Sequence, residues 1–310
     1  MSKLFSNQDY EVLAKDVIGD AFYSNNSFRD KISKERQYAE VIVRKVLDIA
    51  PSEEVTIGDK RILKRVSQLP HCGFFLKAIN VLKGPGNDTT HTRYLATVTA
   101  GDFDSATDSF FDMLAYLPIK YFDTYKFGSR NDVMTAFSLL PPIVRYKALE
   151  YLFSVESDNI AVADKLILSV MKAENPDKAE EWAENHRANL ESLPVVTAQA
   201  YKDMVEKKGE NVAKDYIHSA PENMYEVCIG KINNLRGLLE KGPLYRTFEE
   251  AYPYYKEYGI LEDDGTEEVR EFNDMMEFLY LGRKEADSRK LEEPVIVLDS
   301  IAMSYYPDGQ

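Results

Sequence analysis

Residues 28–49, FRDKISKERQYAEVIVRKVLDI, decide the expected fold. Apolar side chains recur at every third or fourth position of this stretch, and charged side chains occupy many of the positions between them. The positions expected to face inward are Tyr38, Val41, Ile42, Val46 and Ile49. This spacing is typical of an amphipathic α-helix that buries one face in a core, and Pro51 cannot continue it. The stretch therefore predicts a long helix inside a helical bundle.

The same periodicity recurs along the rest of the chain. Asp102 is expected to cap a long aromatic-rich helix, and Pro141-Pro142 suits the first turn of another. The tail Pro294–Leu298 is β-prone, and no fixed repeat length emerges. The sequence thus predicts an all-α fold, in which an N-terminal helical bundle precedes a second bundle or an irregular helical array.

Composition indicates a globular intracellular protein. Hydrophobic residues make up 44% of the 310, which is enough for packed cores, and the length favours two domains. No apolar run reaches the ~18–20 residues of a membrane span, and the first residues lack the features of a signal peptide. The cysteines, Cys72 and Cys228, fit a reducing compartment. We expect a cytoplasmic protein without a membrane partner.

The net charge of −14 is unevenly distributed. Residues 1–128 carry 17 basic and 17 acidic side chains, whereas residues 129–310 carry 21 and 35. The change coincides with the turn-forming segment Gly128–Asn131, so the predicted domains are 1–128 and 129–310. Because an acidic surface repels phosphate, any RNA is expected on the N-terminal half. The acidic half favours solubility or, alternatively, a basic protein partner.

Motifs that would identify common enzymes are absent. The sequence has no GxGxxG or GxxxxGK[ST] phosphate loop, no HExxH or zinc-type Cys/His spacing, and no GxSxG elbow. We therefore predict neither a metal nor a cofactor. A histidine-based site is limited to His71, His91, His186 and His218. His186 lies in a charged helix that is expected to face solvent, and His218 lies near a helix end.

His91 has the most distinctive surroundings. The preceding Lys83-Gly84-Pro85-Gly86 is expected to end one helix, and Asn87 is placed to cap a new short one. On that helix Asn87 and His91 are four residues apart and share a face. Two interpretations stay open: His91 bonds to a neighbouring helix, or it faces a groove at a dimer interface.

Three of these segments together resemble the HEPN superfamily of small helical domains. They are the helical segment Arg36–Arg44, the Gly86-Asn87-x-x-x-His91 segment, and the helix beginning at Asp102-Phe103. More narrowly, residues 28–127 are similar to an uncharacterised branch with a GN-x-x-A-H segment, found in restriction and phage-defence proteins, although Thr90 replaces the usual alanine. The resemblance implies a helical domain that dimerises or binds a ligand.

The chain departs from the active HEPN ribonucleases, which carry an arginine, four to six residues, and then the histidine. The corresponding positions here are Gly84, Pro85 and Gly86, and Lys83 lies one step too far. RNA cleavage without a metal needs a general acid or base and a fixed cation on the phosphate. Only Arg65 and His71 have the required spacing, but Pro70 should break their helix, and we interpret that match as coincidence.

Two functions follow from the sequence. The preferred one is a non-catalytic binding or scaffolding protein with a degenerate HEPN-like domain, in phage defence or a toxin–antitoxin system. The alternative is a metal-independent ribonuclease effector that uses His91 for catalysis. The predicted binding residues are Asn87, Arg93, Lys83 and Arg36. For the ribonuclease, the cation would come from Lys83, Arg93 or a partner subunit of a homo-oligomer.

Overall fold

The computed structural model describes residues 3–90, 97–196, 198–240 and 245–286, with side chains apart from those of 84–90, 198–200 and 219. These residues form fifteen α-helices, one π-helical segment at Gly19–Tyr23, and no β-strand. The all-α prediction is therefore confirmed. The helices are α1 Asn7–Ile18, α2 Phe28–Leu47, α3 Lys60–Val66, α4 Cys72–Thr90, α5 Ala100–Thr124, α6 Asn131–Phe137, α7 Pro142–Val155, α8 Ile160–Ala173, α9 Pro176–Asn185, α10 Arg187–Glu191, α11 Ala198–Lys208, α12 Glu210–Ser219, α13 Met224–Leu239, α14 Phe248–Tyr258 and α15 Glu267–Leu279.

The chain divides into two compact units. The first contains the described residues up to Tyr125 together with Tyr252–Ala286, and the second contains Lys126–Ala251. The sequence-based division placed everything after residue 128 in one domain, whereas the chain returns to the first unit along α14. Turn formers and charge are local signals, and they do not show where a later helix packs.

The first unit is built around α2, which packs against α1, α4 and α5. Its predicted inward face is confirmed, because all five predicted side chains are buried. Ser27 caps the helix by accepting a hydrogen bond from the Asp30 amide. The helix ends at Leu47, and Asp48 follows in the left-handed conformation with φ of 49°. The Asp48 carboxylate accepts the Leu4 and Phe5 amides, at 2.9 Å each.

The prediction that α4 ends at the glycines was wrong. Its backbone stays helical from Cys72 through Gly84-Pro85-Gly86 to Thr90, so Asn87 begins no new helix. The buried apolar face of the first turns nucleates the helix, and it is formed by Phe75, Ala78, Ile79 and Leu82. Each glycine costs about 1 kcal/mol and Pro85 about 3 kcal/mol in a helix interior, so the helix continues past these residues against their local preference.

α5 also differs from its prediction at the amino end. Thr99, not Asp102, is the cap residue, and Asp102 completes a reciprocal capping box by accepting the Thr99 amide. The helix then continues through Pro118 to Thr124. In the second unit, α7 begins at Pro142, as predicted.

The second unit places α8 between α7 and α13, and α9 packs against both α8 and α13. α11 and α12 pack mainly against each other. Among the helices of the described ranges, none is long and apolar enough to cross a membrane.

Candidate functional site

The predicted site is only partly within the described residues. His91 and Arg93 lie outside them, and so does the side chain of Asn87, although its backbone belongs to α4. The two remaining predicted binding residues are Arg36 on α2 and Lys83 on α4. Both side chains are half-buried.

Arg36 lies one helical turn before Glu40. The half-buried Glu40 carboxylate accepts a hydrogen bond from the Ile57 amide, in the loop that precedes α3. Burial raises the pKa of Glu40, while the Ile57 hydrogen bond and the charges of Arg36 and Arg44 act in the opposite direction. Arg44 also donates to the Ala50 carbonyl at 3.1 Å.

Lys83 reaches the same loop from α4. A Cβ built on Gly58 would lie 3.4 Å from the Lys83 Cε, so the lysine stem packs against the residue that follows Ile57. The structure thus places Lys83 against the loop, and Arg36 acts on Glu40, which accepts the loop's Ile57 amide. We call Arg36, Glu40, Arg44 and Lys83 the loop-57 cluster.

The loop-57 cluster combines three cations with one carboxylate. Arginine and lysine attract anionic groups such as phosphates or acidic side chains. Glu40 opposes such binding because it partly neutralises the two arginines. In the part of the chain that the structure describes, no group of three or more histidine, cysteine or acidic side chains is arranged to hold a metal ion.

Arg65 and His71 do not share a helix, in agreement with the interpretation of their spacing as coincidence. α3 ends at Val66 and α4 begins at Cys72. The Arg65 guanidinium donates to Glu53 at 2.9 Å, whereas the His71 Nε2 lies 2.9 Å from the Asp123 Oδ1.

His186 differs from its predicted solvated position. It is half-buried, its ring stacks on Trp182 with centroids 4.4 Å apart, and its Nδ1 lies 2.8 Å from the Trp182 carbonyl oxygen. These contacts give His186 a packing role. His218 is exposed in the last turn of α12.

Sequence reasoning missed the most perturbed carboxyl group of the first unit. Glu35 on α2 is 0% exposed, and its Oε1 accepts the Thr107 hydroxyl of α5 at 2.5 Å. Burial raises the pKa of Glu35 from 4.5 to about 8. A signal was present, since Glu35 lies on the apolar face between Ile32 and Tyr38, where a charged residue is unexpected.

Comparisons with known protein families, with curated proteins and with solved structures return no match to this chain.

Proposed function

We propose that the protein is a non-catalytic binding or scaffolding protein whose first unit is a degenerate HEPN-like domain. The observation that supports this function is the set of contacts and charge interactions made by the predicted cations. Arg36 and Arg44 act on the half-buried Glu40, and the Lys83 stem packs against Gly58. Because Glu40 partly offsets the two arginines, this arrangement supports weak recognition of an anionic partner rather than phosphoryl chemistry, which requires a positive charge fixed at the reacting group.

The biological setting rests on the resemblance to HEPN domains. That resemblance supports a homo-oligomer in phage defence or a toxin–antitoxin system, and the two isolated cysteines support a cytoplasmic location. The acidic C-terminal half, residues 129–310, carries the surface proposed for a protein partner. Its helix α9 presents exposed carboxylates, of which Asp177 and Glu180 both bind Arg236.

The first experiment separates binding from catalysis. Wild type and His91→Ala are expressed in bacteria, and growth and total RNA integrity are compared. We expect equal growth and intact RNA in both strains. Toxicity with RNA cleavage that disappears in His91→Ala would refute the non-catalytic function.

A second experiment tests whether the loop-57 cluster binds. The double variant Arg36→Ala/Lys83→Ala is compared with Lys77→Ala, which removes an exposed cation elsewhere on α4. Binding of a single-stranded RNA and of an acidic peptide is measured at low and physiological salt. The site is supported if the affinity for either probe falls at least tenfold in the double variant but not in Lys77→Ala. It is rejected if wild type and both variants bind with equal affinity.

The ribonuclease remains the second candidate because of one observation on α4. The helix is continuous, so position 83 lies one turn before position 87 on the same helix. We propose for this alternative that Lys83 supplies the cation that the missing arginine would provide. If toxicity appears, Lys83→Ala should reduce it as strongly as His91→Ala, while Lys77→Ala should leave it unchanged.

A further inference from the structure

Arg145 places a charged guanidinium in the buried face of α7, in the second unit. The residue is only 2% exposed. The other buried residues of this helix are proline or apolar: Pro142, Val144, Ala148, Leu149, Leu152 and Phe153. Because arginine stays protonated in proteins, α7 carries a full positive charge into apolar surroundings. Such a charge is strongly disfavoured unless a counter-charge and hydrogen bonds replace its lost hydration.

The donors of this guanidinium have no acceptor in the described part of the second unit. Among the residues that the structure describes, neither the Nε nor the Nη2 of Arg145 has a hydrogen-bond partner. These two nitrogens form the side of the fork whose parallel N–H groups can bind two oxygens of one anion. Arg130 shows this geometry, since its Nε and Nη2 donate to the two carboxylate oxygens of Asp132 at 3.0 and 2.6 Å. The corresponding donors of Arg145 require an acceptor from another source.

The acidic side chains of α7 and of the helix packed against it have other partners. α7 packs against α8, whose single acidic residue, Asp164, lies 2.6 Å from the Lys231 ammonium. The single acidic residue of α7 is Glu150, which is exposed and accepts the Tyr146 hydroxyl at 3.2 Å. Neither helix therefore supplies a carboxylate that neutralises Arg145.

The start of α7 adds to the attraction for an anion. Arg145 lies one turn from this end, and the side chains of a helix lean towards its N-terminus. The N-cap residue, Pro141, makes no side-chain cap hydrogen bond, and residues 140–142 are buried. The helix dipole places partial positive charge at the same end. A buried guanidinium and an uncapped helix start are thus combined at one end of α7.

We propose that the second unit binds one small oxyanion, a phosphate or a carboxylate, through the Nε and Nη2 of Arg145 at the start of α7. Both kinds of anion present two negatively charged oxygens that match the two parallel donors. Because Arg145 is almost inaccessible in the folded unit, the surface of a folded protein partner cannot reach these donors, whereas a small anion is enclosed as α7 and α8 pack. Binding of the anion therefore stabilises the folded unit.

Equilibrium unfolding of the full chain tests the anion site. Urea transitions are followed by the fluorescence of Trp182, which lies in this unit, in phosphate, in acetate and in chloride of equal ionic strength. For an anion present at about ten times its Kd, we expect the urea midpoint of wild type to rise by about 0.5–1 M relative to chloride. A rise with phosphate alone assigns a tetrahedral oxyanion, a rise with acetate alone assigns a carboxylate, and a rise with both assigns either.

Variants of Arg145 separate binding from a general salt effect. Arg145→Met keeps a long side chain without the charge, so it should lose the shift and be at least as stable as wild type in chloride. Arg145→Lys keeps the charge but not the parallel donors, so its shift should be at most about half that of wild type. Lys208→Met removes an exposed cation of the same unit and should respond as wild type does.

Three results would overturn the anion site. One is a wild-type midpoint that neither phosphate nor acetate changes. Another is an equal shift in wild type and Arg145→Met, which would be a general salt effect. The third is a marked loss of stability of Arg145→Met in chloride, which would show that the protein itself stabilises the guanidinium.

Discussion

The two units each bury a carboxyl group, and they accommodate it in different ways. In the second unit, Asp164 of α8 is 1% exposed and lies 2.6 Å from the Lys231 ammonium of α13. In the first unit, Glu35 has the neutral Thr107 hydroxyl as its close partner, and burial raises its pKa to about 8. The Asp164 carboxylate is held by a cation on another helix, whereas the charge of Glu35 depends on pH. The comparison shows that the partner side chain, rather than burial alone, decides how a buried acid behaves.

The largest expected effect comes from breaking the pair in the second unit. Lys231→Ala leaves Asp164 buried without its cation, and we expect the free energy of unfolding to fall by about 3–5 kcal/mol. The single tryptophan, Trp182, lies in this unit, so urea denaturation followed by its fluorescence measures the change.

Two controls sharpen that result. Lys214→Ala removes an exposed i,i+4 pair with Glu210 and should change the same transition little. The double variant Asp164→Leu/Lys231→Met should recover most of the loss, because a buried pair can be replaced by apolar side chains. A single variant as stable as wild type would contradict the role of the pair.

The next largest effect is on the stability of the first unit, and it depends on pH through Glu35. Because the folded-state pKa is raised above the unfolded value of 4.5 to about 8, the folded unit binds more protons, and stability falls as the pH rises through that window. Glu35→Gln removes this loss. We expect it to be about 2–4 kcal/mol more stable than wild type at pH 9, and close to wild type at pH 5.

The measurement for Glu35→Gln must report on the first unit. Global exchange of the α2 and α5 amides provides it, while the Trp182 fluorescence transition should show the same pH dependence in both proteins. A stability difference that is equal at pH 5 and pH 9 would show that Glu35 does not titrate in this window.

A smaller difference in stability is expected between alanine substitutions at two glycines with positive φ. Gly282 has φ of 75° and no space for a Cβ, whereas Gly209, with φ of 88°, has no atom within 4 Å of that position. We expect Gly282→Ala to destabilise the first unit by about 2–3 kcal/mol. Gly209→Ala should cost the second unit about 1–2 kcal/mol from backbone strain alone, because its φ of 88° and ψ of 157° lie in a region that is nearly exclusive to glycine. Thermal unfolding followed by circular dichroism, with Trp182 fluorescence for the second unit, compares them. Equal losses would show that the contact with Ala14 is unimportant.

The smallest effect concerns helix caps in the first unit. The Ser27 side chain accepts the Asp30 amide at 3.2 Å, whereas the side chain of Ser6 makes no cap hydrogen bond to α1. Ser27→Ala should therefore destabilise by about 1 kcal/mol, and Ser6→Ala should leave the unfolding midpoint nearly unchanged. A larger loss for Ser6→Ala would reverse this ranking.

The sequence pattern predicted α2 well because its inward-facing residues recur at the helical period. This spacing can be recognised without knowing which segments the helix packs against. The same patterns failed at Gly84-Pro85-Gly86, where a helix anchored by its buried first turns continues through weak helix formers. Of the candidate site, the sequence indicated Arg36 and Lys83, but it contained no signal that Lys83 packs against Gly58 or that Arg36 acts on the carboxylate that accepts the Ile57 amide. Glu40 was missed as their companion because its surroundings come from a loop 17 residues away.

The sequence by itself determined that this chain is helical, where α2 buries its apolar face, and that acidic charge is concentrated after residue 128. Only the tertiary structure decided that α15 belongs to the first unit, where the Lys45 ammonium lies 2.7 Å from Asp274 and 2.9 Å from the Asn7 Oδ1. It also decided that burial raises the pKa of Glu35 while Asp164 pairs with a lysine. The physical reason is that helix formation depends on near neighbours in the sequence, whereas burial and ion pairing depend on residues that the fold brings together from distant positions.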